Sequence, residues 1–241
     1  MIKIENMHVC NWEAAIRGMR NPMNSWDKSD SGMGCYPDCR LCRECDYKPE
    51  YCGMDNDHYV LGPNDLKLAK QLATAGSDHG KFLRMIIFSC DITAPMYWWK
   101  EMDTYKVGTV RNSCSTMHKI TEKEFTIEDF SVEHLSVDNA NIYHLPKNDF
   151  RILNNKQWFL MNIDLLNALR DEYIETKSKQ VWYQLIQLLP SSYNQRATWT
   201  ANYEVLRNIY HARKNHKLDE WHVFCDMIEE LPYSELITEK R

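Results

Sequence analysis

Residues 188–213 read LLPSSYNQRATWTANYEVLRNIYHAR, and this stretch decides the fold. A turn around Pro190 leads through a polar, aromatic run into a helical pattern. Polar side chains gathered off the apolar stripe of one helix can hold a flat heterocycle and its phosphates. Asn208, His211 and Arg213 have this placement. A lone histidine such as His211 is also common as a surface or capping residue, so both interpretations stay open.

A second polar segment covers residues 104–119, where TYK is followed by RNSCSTMHK. Hydroxyls and cations interleaved over so short a distance can gather a phosphate, because Ser and Thr donate hydrogen bonds while Lys and Arg supply charge. A solvated surface turn is the alternative, since such hydroxyls also bond their own backbone.

Taken together in this order, the segments resemble flavin-dependent thymidylate synthases, which make dTMP from dUMP. Residues 188–213 are similar to the family's Leu-Pro, Trp-Thr-x-Asn and Leu-Arg helix, and residues 220–223, EWHV, fall where the family has Gln-Trp-Glu-Ile. Upstream, residues 14–17, AAIR, are similar to its Ala-Ala-Arg, and residues 78–82, DHGKF, to its His-x-Ser-Pro-Phe.

The signature motif of that family is altered in this chain. Residues 104–106 stand at its Arg-His-Arg, and residues 112–117, NSCSTM, stand at its Asn-Glu-x-Ser-x-Arg, so a carboxylate and an arginine are missing. Glu204 replaces an arginine of the Trp-Thr-x-Asn helix and would repel a phosphate. Lys119 is one of several cations nearby that can supply the charge.

The resemblance implies an α+β fold with a mixed or antiparallel central sheet, flanking helices and a helical last third. It implies one catalytic domain over residues 1–241, assembled as a homotetramer with active sites between subunits. It also implies FAD as cofactor, a deoxypyrimidine monophosphate (dUMP first) as substrate, and methylenetetrahydrofolate and NADPH as co-substrates. A non-catalytic nucleotide-binding protein of the same fold, with a structural metal knuckle, is the alternative.

Matching the motifs position by position gives a set of candidate residues for each role. The catalytic candidates are Lys106, Ser115 and Tyr105. The cofactor candidates are His79, Asn202, Asn208, His211 and Arg213. The substrate candidates are Arg17, Arg111, Ser113, Thr116, His118 and Arg196.

Five of the nine cysteines cluster in one short stretch, as Cys35, Cys39, Cys42, Cys45 and Cys52. Short spacings of this kind let thiolates share one metal, so the stretch predicts a metal-binding loop inserted at about residues 29–60. Zinc is favoured over an iron–sulfur cluster, and free or disulfide-forming thiols are a further interpretation. His58 is a spare candidate ligand, so spacing alone does not fix the set.

The composition narrows the class of protein. A net charge of −5 argues against a partner that is nucleic acid, and a mean hydropathy of −0.58 argues against a membrane span. An odd number of cysteines and the absence of an apolar leader predict a reducing cytoplasm. The sequence has no Gly-rich phosphate loop, catalytic triad order or HExxH pair.

Periodicity predicts the remaining elements. An edge strand is expected over residues 2–9, a helix over 12–20, a helix between Pro63 and Gly76, and a buried strand over 82–93. A short helix should follow Pro95. Residues 120–160 read as a loop or a variable excursion, and the last third of the chain reads as strongly helical, with a break at Pro190.

Overall fold

The computed structural model describes residues 2–33, 59–138, 140–145 and 149–240. Its strands are Lys3–Cys10 (β1), Gly32–Met33 (β2), Tyr59–Val60 (β3), Ile87–Pro95 (β4), Val110–Ser113 (β5), Ala140–Leu145 (β6), Asp149–Asn154 (β7) and Asn194–Asn202 (β8). Its helices are Trp12–Arg20 (α1), Pro63–Thr74 (α2), Met96–Met102 (α3), Thr116–Lys119 (α4), Asn155–Thr176 (α5), Lys179–Leu188 (α6), Tyr203–Arg213 (α7), Asp219–Glu229 (α8) and Glu235–Thr238 (α9). Four strands form the main sheet in the order β1-β4-β8-β5, and the predicted α+β class is confirmed.

Several predicted elements are confirmed. The strand β1 lies at the edge of the sheet, and α1 covers the predicted residues. Helix α2 starts with Pro63 in its first turn, and Gly76 follows its end with a φ of 124°, a conformation that glycine adopts without steric cost.

Other elements differ from the prediction. The strand expected over 82–93 starts only at Ile87, because residues 79–84 form a 3-10 helix. Residues 199–202, expected to begin a helix, instead end the strand β8, where Ala197, Trp199 and Ala201 alternate as buried residues. Residues 120–160, expected to be a loop, contain the antiparallel β6–β7 hairpin and the start of α5.

The chain divides into two compact units. The first comprises residues 1–5, 91–104 and 111–198, and its core lies between α5, α6 and the segment before β6. Phe130 and Phe159 pack edge to face there, with ring centroids 5.2 Å apart. Leu166 and Leu185 are fully buried in the same core.

The second unit comprises residues 6–90, 105–110 and 199–241, and its core is rich in aromatic rings. Trp12 packs on Tyr203 with ring centroids 5.3 Å apart, and Trp199 packs on Phe224 at 5.8 Å. Such edge-to-face pairs add to the free energy gained from burial. That the units form one catalytic domain stays a prediction.

A buried ion pair also stabilises the second unit. Asp65 is 0% exposed and Arg20 6%, and Arg20 Nε donates to Asp65 Oδ1 over 2.6 Å. The second carboxylate oxygen accepts hydrogen bonds from the hydroxyls of Ser29 and Ser31, each at 2.6 Å. Burial alone would raise the pKa of Asp65, but these hydroxyls and the guanidinium outweigh burial and lower it.

This network lies at the base of the cysteine segment. Met33 pairs with Tyr59 in the antiparallel β2–β3 ladder, and Asp30 accepts hydrogen bonds from the backbone N–H of Asn64 (2.9 Å) and of Asp65 (3.0 Å). The described residues on either side of that segment, Met33 and Tyr59, are therefore adjacent in the second unit. The intervening residues 34–58 lie outside the described part of the chain.

A second buried charge holds the last helix. Arg207 is 1% exposed, and its guanidinium donates to the carbonyl of Leu236 over 2.7 Å and to that of Glu239. Both carbonyls lie where α9 ends, so the arginine satisfies acceptors that a helix leaves open. Across the described residues, none of the helices has the length and hydropathy to span a membrane.

Candidate functional site

In the first unit, the segment that follows β5 is fastened to β8. The backbone N–H of Cys114 donates to the carbonyl of Arg196 over 2.8 Å. The side-chain amide of Gln195 donates to the carbonyl of Cys114 over 3.0 Å and to the hydroxyl of Thr116 over 3.1 Å. Trp99 Nε1 in turn donates to the carbonyl of Gln195 over 2.8 Å. The predicted substrate segment is thus held in one conformation.

Both predicted substrate arginines of this unit are ion-paired. Arg111 Nη1 lies 2.9 Å from Asp103 Oδ1, and its guanidinium stacks 4.6 Å above the ring of Trp99. Arg196 Nη2 lies 3.1 Å from Asp91 Oδ2, and the arginine side chain is 58% exposed. Exposed pairs of this kind contribute only about 0–1 kcal/mol, so a phosphate dianion can compete for either guanidinium.

Ser115 has a local structural role. Its hydroxyl accepts from the backbone N–H of His118 over 3.3 Å and caps α4. The side chains of Ser115 and His118 are both exposed, and Ser113 is half-buried. The structure therefore supports the turn interpretation for the Ser115 oxygen, and leaves the hydroxyl proton of that residue available for another acceptor.

In the second unit, the structure brings Tyr105 and Arg213 together. Arg213 Nε donates to the phenol oxygen of Tyr105 over 2.9 Å, and its guanidinium lies 4.8 Å from the ring centroid of Trp221. Lys106 follows Tyr105 and is exposed. A guanidinium between two aromatic rings keeps its charge while losing freedom of movement.

Asn202 lies at the start of the helix that carries Arg213. Its side-chain oxygen accepts from the N–H of Val205 over 3.0 Å, which makes it the N-cap of α7. Gly108 has a φ of 76°, and a Cβ there would lie 2.9 Å from Asn202 Nδ2. The segment before β5 therefore approaches the start of α7 as closely as glycine permits.

The other cofactor candidates on α7 differ in exposure. Asn208 is exposed, whereas His211 Nε2 is buried and has no hydrogen-bond partner within the described residues. Burial, together with the charge of Arg207, lowers the pKa of His211. The histidine is therefore neutral at physiological pH.

Arg17 and His79 are exposed. Within the described residues, neither of them forms a hydrogen bond or an ion pair with another predicted site residue. Arg17 pairs instead with Glu13, 3.4 Å away on the same helix. The buried arginine of α1 is Arg20, which the sequence comparison did not select. Sequence reasoning also missed Trp99, which lies on the short helix predicted after Pro95.

The five clustered cysteines, and the spare ligand candidate His58, lie outside the described residues, so the metal-binding loop stays a prediction. Among the residues that are described, no group of three or more His, Cys, Asp or Glu side chains could hold a metal ion. Within the described part of the chain, Cys10, Cys90, Cys114 and Cys225 form no disulfide with one another.

A cavity of about 560 Å³ lies in the second unit, between the end of α7 and α8. It is lined by Tyr210, Lys214, Asn215, His216, His222, Cys225, Asp226 and Glu229. A hydrogen bond to Glu229, with burial, raises the pKa of Tyr210 to about 12. None of the predicted site residues lines this cavity.

No family model matches the chain, and a search of curated proteins finds no match. Solved structures do match over the whole length. Thymidylate synthase X from Helicobacter pylori, crystallised with FAD and dUMP, superposes with a TM-score of 0.62 at 16% identity, covering 99% of this chain and 98% of that one. The UMP/dUMP methylase PolB from Streptomyces cacaoi, bound with 5-Br dUMP, gives 0.56 at 12%, covering 98% and 93%.

These matches define the class of fold. The chain is an α+β protein with the fold of flavin-dependent thymidylate synthases, as the sequence resemblance implied. Thymidylate Synthase X and PolB are two of the solved structures that share this fold.

Proposed function

We propose that this protein is a flavin-dependent enzyme that reductively methylates a deoxypyrimidine monophosphate, with dUMP as the first candidate. The observation that carries the proposal is the fold match over nearly all of both chains to a thymidylate synthase holding FAD and dUMP. PolB, a UMP/dUMP methylase of the same fold, supports the same substrate class. Methylenetetrahydrofolate is the proposed carbon donor and NADPH the proposed reductant.

The nucleotide's phosphate is proposed to bind in the first unit. Arg111 and Arg196 offer guanidinium groups whose present partners, Asp103 and Asp91, are single carboxylates. A phosphate monoester carries nearly two negative charges at neutral pH, so it attracts a guanidinium more strongly than one carboxylate does. The hydroxyl of Thr116 is a further proposed donor to the phosphate oxygens.

FAD is proposed to bind in the second unit, where the chemistry of the donor set fits it. Arg213 and Lys106 provide cations for a pyrophosphate, Asn208 an exposed amide, and Tyr105 a half-buried aromatic ring. His211, with its unpartnered buried nitrogen, lies on the same helix. When bound, FAD supplies the two-electron chemistry that a reductive methylation needs. The chain's residues would bind and orient FAD and exclude water.

The purified protein tests the proposal directly. Added FAD should give bound-flavin absorbance, and dUMP with methylenetetrahydrofolate and NADPH should yield dTMP by mass spectrometry. Arg111→Ala should lose turnover, while Arg84→Ala on the 3-10 helix of the second unit serves as the matched control. Protein that acquires no flavin absorbance would exclude a flavoenzyme.

A non-catalytic nucleotide-binding protein is the second candidate, favoured by Tyr105 and Lys106 standing in place of an Arg-His-Arg motif. Calorimetry with dUMP separates the two, because this candidate requires binding without any dTMP formed by the FAD-loaded protein.

Three features remain proposals alongside the activity. Cys35, Cys39, Cys42, Cys45 and Cys52 are proposed to hold a metal, with zinc favoured, and metal analysis of purified protein tests this. A homotetramer is proposed from the resemblance, and light scattering after gel filtration measures it. A cytoplasmic location is proposed from the odd cysteine count, and fractionation tests it.

A further inference from the structure

Gln195 fixes the predicted substrate segment, although no sequence motif selected it. It is half-buried on β8, and its side-chain amide bridges two groups of the segment after β5, the carbonyl of Cys114 and the hydroxyl of Thr116. A carbonyl oxygen can only accept a hydrogen bond, so the atom facing Cys114 must be the NH₂ group. The direction of both bonds is therefore settled.

This direction determines what the Thr116 hydroxyl can do. A hydroxyl group has one proton to donate and two sites that accept. The side-chain NH₂ group of Gln195 donates to one of the accepting sites of Thr116. The hydroxyl's own proton remains available, and within the described residues no acceptor for it occurs. An acceptor-only group, such as a phosphate oxygen, complements a donor held in this way.

We propose that Gln195 is a positioning residue for the nucleotide: it holds Thr116 as a donor toward the nucleotide's phosphate. The inference rests on the proposed function. Two bonds keep the arrangement rigid before the nucleotide arrives, from Trp99 to the Gln195 carbonyl and from Cys114 to the Arg196 carbonyl. A segment ordered in advance spends less binding free energy on ordering.

The isosteric variant Gln195→Glu tests the direction of the bonds rather than the packing. At neutral pH its carboxylate only accepts, so it repels the Cys114 carbonyl and takes the Thr116 proton. The dUMP dissociation constant, measured by calorimetry on FAD-loaded protein, should rise about tenfold while FAD affinity stays unchanged. Gln184→Glu, an exposed site on α6 of the same unit, controls for the added charge.

Thr116 variants give a second, independent test. Thr116→Val should weaken dUMP binding about as much as Gln195→Glu, and Thr116→Ser should bind nearly as the wild type does. The double variant Gln195→Glu/Thr116→Val should bind no worse than the weaker single variant, because both changes remove the same donor. Relative to wild type, Gln195→Glu should recover affinity as pH falls and its carboxyl gains a proton.

The outcomes separate cleanly. Additive losses in the double variant, or a folded Gln195→Glu protein that binds dUMP like the wild type, would overturn the inference alone. Wild-type protein that binds neither FAD nor dUMP would overturn the proposed function and this inference together. If Gln195→Glu does not fold, the Thr116→Val and Thr116→Ser pair decides, since equal dUMP affinity in those two overturns the role of the hydroxyl.

Discussion

Replacing Asp65 with Asn should destabilise the second unit by about 3–5 kcal/mol, because it leaves the Arg20 charge buried without its counterion. Oδ2 of Asp65 accepts four hydrogen bonds, from the side chain of Ser29, the backbone of Asp30 and both groups of Ser31. The amide oxygen of Asn would keep these donors. Its NH₂ group would then face Arg20 Nε at the position of Oδ1, which lies 2.6 Å from that nitrogen. Two hydrogen-bond donors would face each other there with no acceptor between them.

Urea unfolding followed by tryptophan fluorescence measures this loss, because Trp12 lies in the same unit. The loss is a large share of the stability of about 5–15 kcal/mol that is typical of a domain. A variant within about 1 kcal/mol of wild type would refute the reasoning. The double variant Arg20→Met/Asp65→Asn is the control, since the amide oxygen keeps the four donors and no guanidinium is left facing the NH₂ group, so it should cost less than Asp65→Asn alone.

The same carboxylate gives a pH dependence. Because the folded pKa of Asp65 is lowered, its stabilisation is fully present above the unfolded value of about 3.9 and is lost as pH falls through the folded pKa. Wild-type stability should therefore fall more steeply with acid than that of Asp65→Asn. Parallel acid profiles for the two proteins would contradict this assignment.

Three further predictions concern single features. Replacing residues 34–58 by Asn-Gly should leave a protein that unfolds cooperatively in urea, because Met33 and Tyr59 are already paired across a strand ladder; loss of cooperative unfolding would argue against it. Asn202→Ala should lower thermal stability by about 1 kcal/mol through loss of an N-cap, with Asn202→Ser restoring most of it, and an unaltered melting temperature would count against the cap. Tyr105→Phe should weaken FAD binding severalfold in a fluorescence titration, because Arg213 loses the acceptor that orients it, and equal affinity would show that the phenol plays no such role.

Elements whose hydrophobic residues follow one clear period could be predicted from the sequence, whereas those whose pattern fits both a helix and a strand could not. In β8, the buried residues Ala197, Trp199 and Ala201 alternate as in a strand. Because Ala197 and Ala201 are four residues apart, the same pattern is also compatible with one face of a helix. In α2, the buried positions are Asp65, Ala69 and Ala73, so two alanines and an aspartate mark the buried face rather than the leucines. A buried aspartate leaves no hydrophobic signal, since its partners come from elsewhere in the chain.

Site residues that lie within sequence motifs could be predicted from the sequence. Tyr105 and Arg213 were both selected from motifs, although 108 residues separate them, and the structure joins them by a hydrogen bond. Gln195 was not, because its partners lie 79 and 81 residues away and nothing in the neighbouring sequence marks it. Trp99 was not selected either, because its indole N–H donates to the carbonyl of Gln195, 96 residues away in the chain.

The buried guanidinium of Arg207 has a practical consequence for altering the end of the chain. It binds the carbonyls of Leu236 and Glu239, so the last helix is attached by a charge that has no access to water. Truncation before residue 236 would leave that charge without those acceptors, at a cost comparable to breaking a buried pair. Affinity tags placed after residue 240 keep both carbonyls, and are the safer choice for purifying a folded protein.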